Sequence, residues 1–350
     1  MPKQTFIAII VSSLTLCGCH DNKISHTPTG MVNDVICPYT PVKDQGTSDA
    51  CWIYAMLATI ESEHIIRGDS VNLPPYYAIY TGMMEQATET YLSQGSKPVS
   101  MKGTIDMLPQ LIDALGMMPF DSYHGTANIN VIERKLTSLA RQCAKRRTGL
   151  ARMRRMADEL LQRELAPVPP HVYMFGVEYT PQEFAHSVCM PDEYVAMTSY
   201  THHPFNKWIS LELPDNKDNG RYMNVSVDTL MNIIVNTLRS GHPVCWEGDI
   251  TEPGFSFEKG IATLGDDDEG KLTQQRRQKD FELFTTTDDH CMELIGLAHD
   301  REGRQYVICK NSWGTGNPYG GLMYMSLSYL KMKTIAVMVN VQNLKGVMDI

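Results

Sequence analysis

The chain has 350 residues, 43% of them hydrophobic and 20% charged, with a formal net charge of −9. That content supports a core of one large or two small domains, and the acidic balance argues against a nucleic-acid surface. Its 22 methionines fit adaptable core packing rather than a cofactor site.

Lys3 precedes an apolar run over residues 6–16, too short to cross a bilayer and suited to the hydrophobic region of a signal peptide over 1–18. The polar segment that follows, with Pro and Gly, reads as a flexible tether over 19–34. No later stretch is long and apolar enough to span a membrane. Residues 51–68 carry apolar positions at 53, 56, 57, 60 and 64/65, the spacing of one buried helical face. Ser48 or Asp49 caps its start and Gly68 ends it. Cys51 then sits in the first turn, where unpaired N–H groups and the helix dipole stabilise a thiolate. Pro74-Pro75-Tyr76 starts a second helix, and Thr104 caps a third that reaches Leu115 and ends at Gly116.

Residues 131–165 show helical periodicity broken at Gly149, with Arg and Lys clustered over 141–155. Asp158, Glu159 and Glu164 balance that cluster, so it reads as a solvated face rather than a patch for acidic partners. Pro167, Pro169 and Pro170 end the segment. An amphipathic helix over 223–240 and a short apolar strand over 243–250 follow. Residues 265–279 read as a charged, exposed loop, and Asp266-Asp267-Asp268 lacks the glycine and spacing of a calcium loop. Strands are expected over 291–298, 305–309, 322–326 and 335–341. Helices first and strands later predict an α+β fold with its cleft between the two halves.

Cys37, Cys143, Cys189, Cys245, Cys291 and Cys309 suggest no disulfide framework, and Cys291 and Cys309 read as core residues. No His/Cys grouping has zinc-ligand spacing. His202-His203, ahead of Pro204, is the one metal-like pair and reads as structural. Neither a metal nor another cofactor is expected.

The chemistry lies in three distant segments. Gln45-Gly46-Thr47-Ser48-Asp49-Ala50-Cys51-Trp52 opens the first helix; Asp289-His290-Cys291 and Lys310-Asn311-Ser312-Trp313-Gly314 lie far downstream. A nucleophile, a base and an amide that can orient the base are all present. Together these motifs resemble the papain superfamily of cysteine peptidases. The resemblance implies a two-lobed fold, a helical lobe with the nucleophile helix and an antiparallel β lobe, with a helical insertion at 126–170 in a domain over 35–345. It makes Cys51 the nucleophile, His290 the general base and then acid, and Asn311 the residue that holds the imidazole. Gln45 and the Cys51 backbone N–H would form the oxyanion site, and Trp313 would shield the Asn–His bond from water. Gly103 stands where the family has a Gly-Gly wall beside the substrate, but Lys102 replaces its partner. Ser48 replaces the usual disulfide cysteine, and Asp49 a usual glycine. The Cys51–His290 interval also exceeds, by about 90 residues, the roughly 130–150 of papain and the cathepsins.

The inserted text resembles the bleomycin hydrolase and aminopeptidase C branch. Thr180-Pro181-Gln182-Glu183-Phe184, residues 215–224, 241–249, 286–290 and 331–341 carry that likeness, which covers roughly residues 35–341. The branch implies an aminopeptidase whose own C-terminal tail fills part of the cleft, its carboxylate meeting the substrate's amine. Here nine residues follow the last expected strand at Val341, fewer than the tail that the branch implies. The segment between Cys19 and Cys51 is too short for a helical inhibitory propeptide, which favours restricted access to the site. An endopeptidase is the alternative if the cleft is open at both ends, and an inactive binding protein on the same scaffold is the third reading. Intact Cys51, His290, Asn311 and Gln45 weigh against the third.

Leu16-Cys17-Gly18-Cys19 resembles a bacterial lipobox, with cleavage before Cys19 and lipid on its thiol. The partners expected are therefore a peptide or small amide substrate and, through that anchor, a membrane, with oligomers left open. The location implied is the bacterial cell envelope, with plain secretion or a periplasmic location as alternatives.

Overall fold

The computed structural model describes residues 30–125, 127–174, 176–264 and 271–345. The expected signal peptide, Cys17, the lipidation site Cys19, the tether through residue 29, Asp266-Asp267-Asp268 and residues 346–350 lie outside them.

Strand β1 (Val32–Ile36) leads to five helices: α1 (Cys51–Arg67), α2 (Pro75–Leu92), α3 (Met107–Leu115), α4 (Ile129–Lys145) and α5 (Leu150–Glu164). A small pair, β2 (Val172–Met174) and β3 (Val177–Tyr179), precedes α6 (Pro181–Val188), β4 (Tyr194–Thr198), β5 (Lys207–Ser210) and β6 (Arg221–Asn224). Then come α7 (Val227–Arg239), β7 (Val244–Gly248), β8 (Phe255–Ser256), β9 (Ile261–Ala262) and α8 (Gln274–Glu282). The chain finishes through β10 (His290–His299), β11 (Gln305–Lys310), β12 (Leu322–Ser326), α9 (Leu327–Lys333) and β13 (Thr334–Asn340). Eleven strands make one sheet in the order β5-β6-β4-β13-β7-β10-β11-β12-β9-β8, with β1 added alongside β10. The sheet is antiparallel apart from the β4–β6 and β9–β12 pairs, which are parallel.

Both faces of the sheet centre are buried, and alternation along each strand decides what goes where. Val244 and Trp246 of β7, Met292 and Leu294 of β10, and Val337 and Val339 of β13 pack with Leu230, Ile233 and Ile234 of α7. Their neighbours Cys245, Cys291, Ala336 and Met338 face the other way, into the core shared with α1 and the helical half. Strands buried on both faces read as continuous apolar runs, which is why they were recognisable.

Helix α1 departs from the expected single apolar stripe. Every residue from Trp52 to His64 is buried, because α1 lies between the sheet and α2 and is enclosed on all sides. Its polar residues are paired inside: Glu61 with Lys43 at 2.5 Å, Ser62 with Glu293 at 2.5 Å, and Glu63 with His242 at 3.0 Å. Neither Ser48 nor Asp49 caps the helix; Ala50 is the N-cap, and Ser48 Oγ instead donates to Gln45 O at 2.8 Å. Gly68 ends it in the left-handed region, at φ 94°.

Four other expectations change. Thr104 does not cap α3, which starts after Asp106. Residues 223–240 divide into β6 and α7, because Ser226 caps the helix by accepting from Thr229 N at 3.2 Å. Residues 32–34, expected in the tether, belong to β1 and pair with β10. Within the expected loop over 265–279, helix α8 forms from Gln274 and buries Arg277. That guanidinium lies 4.7 Å over the Tyr200 ring and donates to Ser199 O and Lys331 O, so its charge is used inside.

The basic cluster sits on α4, α5 and their junction at Gly149. Arg154 forks onto Glu85, and Arg141 donates to Gly95 O, so part of it ties these helices to α2.

Candidate active site

Cys51 opens α1, and β10 begins at His290 directly against that helix. The His290 Nε2 hydrogen-bonds to Asn311 Oδ1 at 2.7 Å, and both residues are buried. Asn311 Oδ1 also accepts from Ser312 N at 2.7 Å, which fixes the amide so that its oxygen faces the imidazole. The Trp313 ring lies 4.7 Å from the His290 ring, covering that bond. Phe255 and Phe257 meet Trp313 edge-on at 6.1 and 5.3 Å and hold it there.

Gln45 belongs to the same assembly. Its N–H donates to Ser312 O at 2.9 Å, Asp44 bridges to Trp313, and Gly314 N donates to Lys43 O. Its side-chain Oε1 accepts from Ser312 Oγ at 2.5 Å, and Nε2 donates to Ser48 O at 2.7 Å. One Nε2 hydrogen is left for a ligand, close to the start of α1. The two distant segments carrying Gln45 and Asn311 are thus hydrogen-bonded to each other.

The Cys51 thiol is held well below the ordinary thiol range. Hydrogen bonding from the neighbouring Cys291 thiol contributes most, His290 adds a hydrogen bond and its charge, and burial opposes them. Cys291 itself is pushed well up, by burial first and then by Cys51. It therefore stays a neutral S–H donor beside a thiolate. Cys37, Cys189, Cys245 and Cys309 are buried free thiols raised by desolvation.

Gly103 packs on the residue after the nucleophile. A Cβ there would lie 2.9 Å from Trp52 Cε2 and 2.9 Å from Met107 Sδ. Trp52 Nε1 donates to Met101 O at 2.7 Å, which ties the 101–104 segment to the first turn of α1.

Cys51, His290, Asn311, Gln45, Gly103 and Trp313 are therefore brought to one place. A lowered thiol, an imidazole held by an amide and a spare amide N–H can carry out acyl transfer. Cys291, Ser312, Phe255 and Phe257 were not singled out from the sequence. Cys291 reads as a core residue in an apolar strand, and the two phenylalanines carry no motif.

The end of the described chain lies elsewhere. Asn343 donates to Glu63 at 3.3 Å, and twelve residues of helix separate Glu63 from Cys51, roughly 18 Å at helical rise. His202, His203 and Glu212 place ligand atoms within 4.8 Å of one another. However, Gln278 Nε2 donates to His202 Nδ1 at 2.9 Å while its Oε1 accepts from Thr201 N at 2.6 Å. That arrangement puts the neutral ring's proton on Nε2, toward Glu212, where a metal would need a free lone pair.

Known proteins match this chain along most of its length. Aminopeptidase C of Lactobacillus delbrueckii subsp. lactis is 23% identical over 352 residues, covering 81% of this chain and 76% of the relative. Aminopeptidase C of Lactobacillus helveticus is 22% identical over 363 residues, covering 85% and 78%. The crystal structure of PepW from Lactobacillus rhamnosis HN001 superposes with a TM-score of 0.72 at 18% identity, over 93% of this chain and 85% of that one. The family model for the Peptidase C1-like family matches residues 171–348, the half that carries His290, Asn311 and Trp313. With the papain-like fold and with Cys51 packed against that half, the chain belongs to the Peptidase C1-like family of cysteine-type peptidases.

Proposed function

We propose that this peptidase is a thiol aminopeptidase. The observation that carries the reading is the likeness to two aminopeptidases C across about four fifths of the chain. In the mechanism proposed, the Cys51 thiolate attacks the scissile carbonyl carbon. The oxyanion formed accepts hydrogen bonds from Gln45 Nε2 and the Cys51 backbone N–H. Protonated His290 gives its proton to the departing amine, leaving a thioester on Cys51. His290 then takes a proton from water as the hydroxide adds to the thioester carbonyl. That expels the Cys51 thiolate, releases the carboxylic acid and restores the thiolate beside protonated His290. Asn311 keeps the imidazole oriented, and Trp313 keeps water from the bond between them.

The test uses fluorogenic amides with free or acetylated N-termini, and Cys51→Ala as control. Cleavage confined to free-amine substrates supports the aminopeptidase. Cysteine-dependent cleavage of acetylated substrates at equal rates would replace it by an endopeptidase. We further propose that Cys19 carries a lipid anchor that places the enzyme at the bacterial cell envelope, on the strength of Leu16-Cys17-Gly18-Cys19 after an apolar run. Metabolic labelling with palmitate, lost in Cys19→Ala, tests that assignment.

A further inference from the structure

Buried carboxylates are numerous in this protein, and nearly all have a cation. Glu61 has Lys43, Glu63 has His242, Asp249 has Lys333, Glu293 has Lys310 and Asp300 has Arg304. Two fully or almost fully buried carboxylates do not, Glu247 at 0% exposure and Asp106 at 4%. Asp288 joins them, with an Oδ2 that is buried and without a partner. Among the described residues, no Lys, Arg or His forms an ion pair with any of these three. Buried acids are paired, coordinated or neutralised by a proton. Without a cation this group keeps a proton, the Glu247 and Asp288 carboxyls both being pushed up by burial, so a cation entering it would take that proton's place.

The group lies beside the nucleophile. Glu247 is the register partner of Cys291 across β7 and β10, so its side chain shares the face on which Cys291 meets Cys51. Its Oε2 accepts from Ile105 N at 3.4 Å, two residues past Gly103, and its Oε1 has no partner. Asp288 precedes His290 by two residues, faces the Glu247 carboxylate within hydrogen-bonding reach, and lies within the field of Cys51. Asp106 continues the group away from Cys51; its Oδ1 accepts from Tyr222 OH at 2.5 Å and its Oδ2 is unpartnered. Acceptors thus run from the Cys51 side of the sheet to the start of α3, with no donor of full charge opposite them.

We propose that Glu247 and Asp288, backed by Asp106, form the site that captures the substrate's α-ammonium group. This rests on the aminopeptidase reading and names the residues that would restrict the enzyme to free N-termini. A small metal ion fits less well. Among the described residues, the group of three ligands close enough to share one ion is His202–His203–Glu212, elsewhere in the fold. The pair is a specificity determinant and takes no part in bond breaking.

The experiment compares wild type, Glu247→Gln and Asp288→Asn on aminoacyl and dipeptidyl amides, each free or N-acetylated. Loss of one buried charge partner should lower kcat/KM on free-amine substrates by about 10²-fold, mostly through KM. The free-to-acetylated ratio should collapse with it. Aminoacyl against dipeptidyl substrates tells which residue's amine reaches the acids. A preference for acetylated substrates carrying a lysine side chain, over free α-amines, would overturn the assignment. So would variants that keep the wild-type ratio, even where both rates fall together. If the wild type itself shows no preference for free amines, the aminopeptidase reading fails instead. A measurement without variants covers the case of misfolding: inhibition of the wild type by leucinal and by N-acetyl-leucinal. The free amine should bind at least about tenfold tighter, and equal inhibition refutes the site.

Discussion

Replacing Asp288 by Asn should make the protein more stable at pH 8 and leave it about unchanged at pH 4. Burial is the main reason that this carboxyl is pushed up from 3.8 to about 7. Glu247 beside it is also pushed well up, by burial and by the charge of Asp288. A carboxyl raised in the folded state keeps its proton longer than in the unfolded chain. Its contribution is therefore fully present below pH 4 and is lost as the pH climbs through about 7. Three units correspond to about 4 kcal/mol; allowing for proton sharing with Glu247, about 2–4 kcal/mol should be recovered at pH 8 in the variant. Urea unfolding of both proteins at pH 4, 6 and 8 measures it. The reasoning is refuted if the two stability profiles run parallel, or if the variant is the weaker at pH 8. Destabilising acids beside a nucleophile are what a functional site tolerates, so this stability gain should accompany the loss of free-amine preference.

Asn311→Ala should lower kcat by about 10²-fold through loss of imidazole orientation, against at least about 10⁴-fold for Cys51→Ala; steady-state kinetics on one substrate compares them, and equal losses would remove the division of roles. Gln45→Ala should cost about 10²–10³-fold in kcat, and Ser312→Ala a smaller part of that, because it frees the Gln45 side chain without deleting it. Gly103→Ala forces a methyl into Trp52 and Met107. Overpacking of about 1–3 kcal/mol is expected, with a fall in kcat/KM that thermal melts and kinetics would detect together. Arg277→Met should destabilise by about 1–2 kcal/mol, since Lys331 O loses its Arg277 donor while Ser199 O keeps Gln274 Nε2; an unchanged unfolding midpoint would contradict that.

Much of the fold is legible in local text. The strands at 291–298, 305–309, 322–326 and 335–341 carry long apolar runs that survive any context, and Gly68, Gly116 and Gly149 mark real helix boundaries. N-terminal caps were harder to place. Ser48 and Thr104 have the right chemistry, but tertiary partners such as Gln45 O compete for it. Arg277 reads as exposed for a related reason: charged text looks solvated unless an internal partner is known, and Tyr200 is far away in sequence. The same blindness hid the acid group, since Glu247 and Asp288 look like ordinary polar punctuation.

The sequence by itself determined the chemistry of this protein: a cysteine at a helix start, a histidine and an asparagine in separate motifs, and the α+β order of elements. Those signals are local, written in residue type and short-range spacing. The tertiary structure decided what surrounds them: the Cys291 thiol against Cys51, the zipper joining Gln45 to Ser312, the aromatic cover on His290, and three acids that face no cation among the described residues. Each depends on contacts between residues tens to hundreds of positions apart. Desolvation and charge pairing act through space, and only the folded chain brings those distances down to a few ångströms.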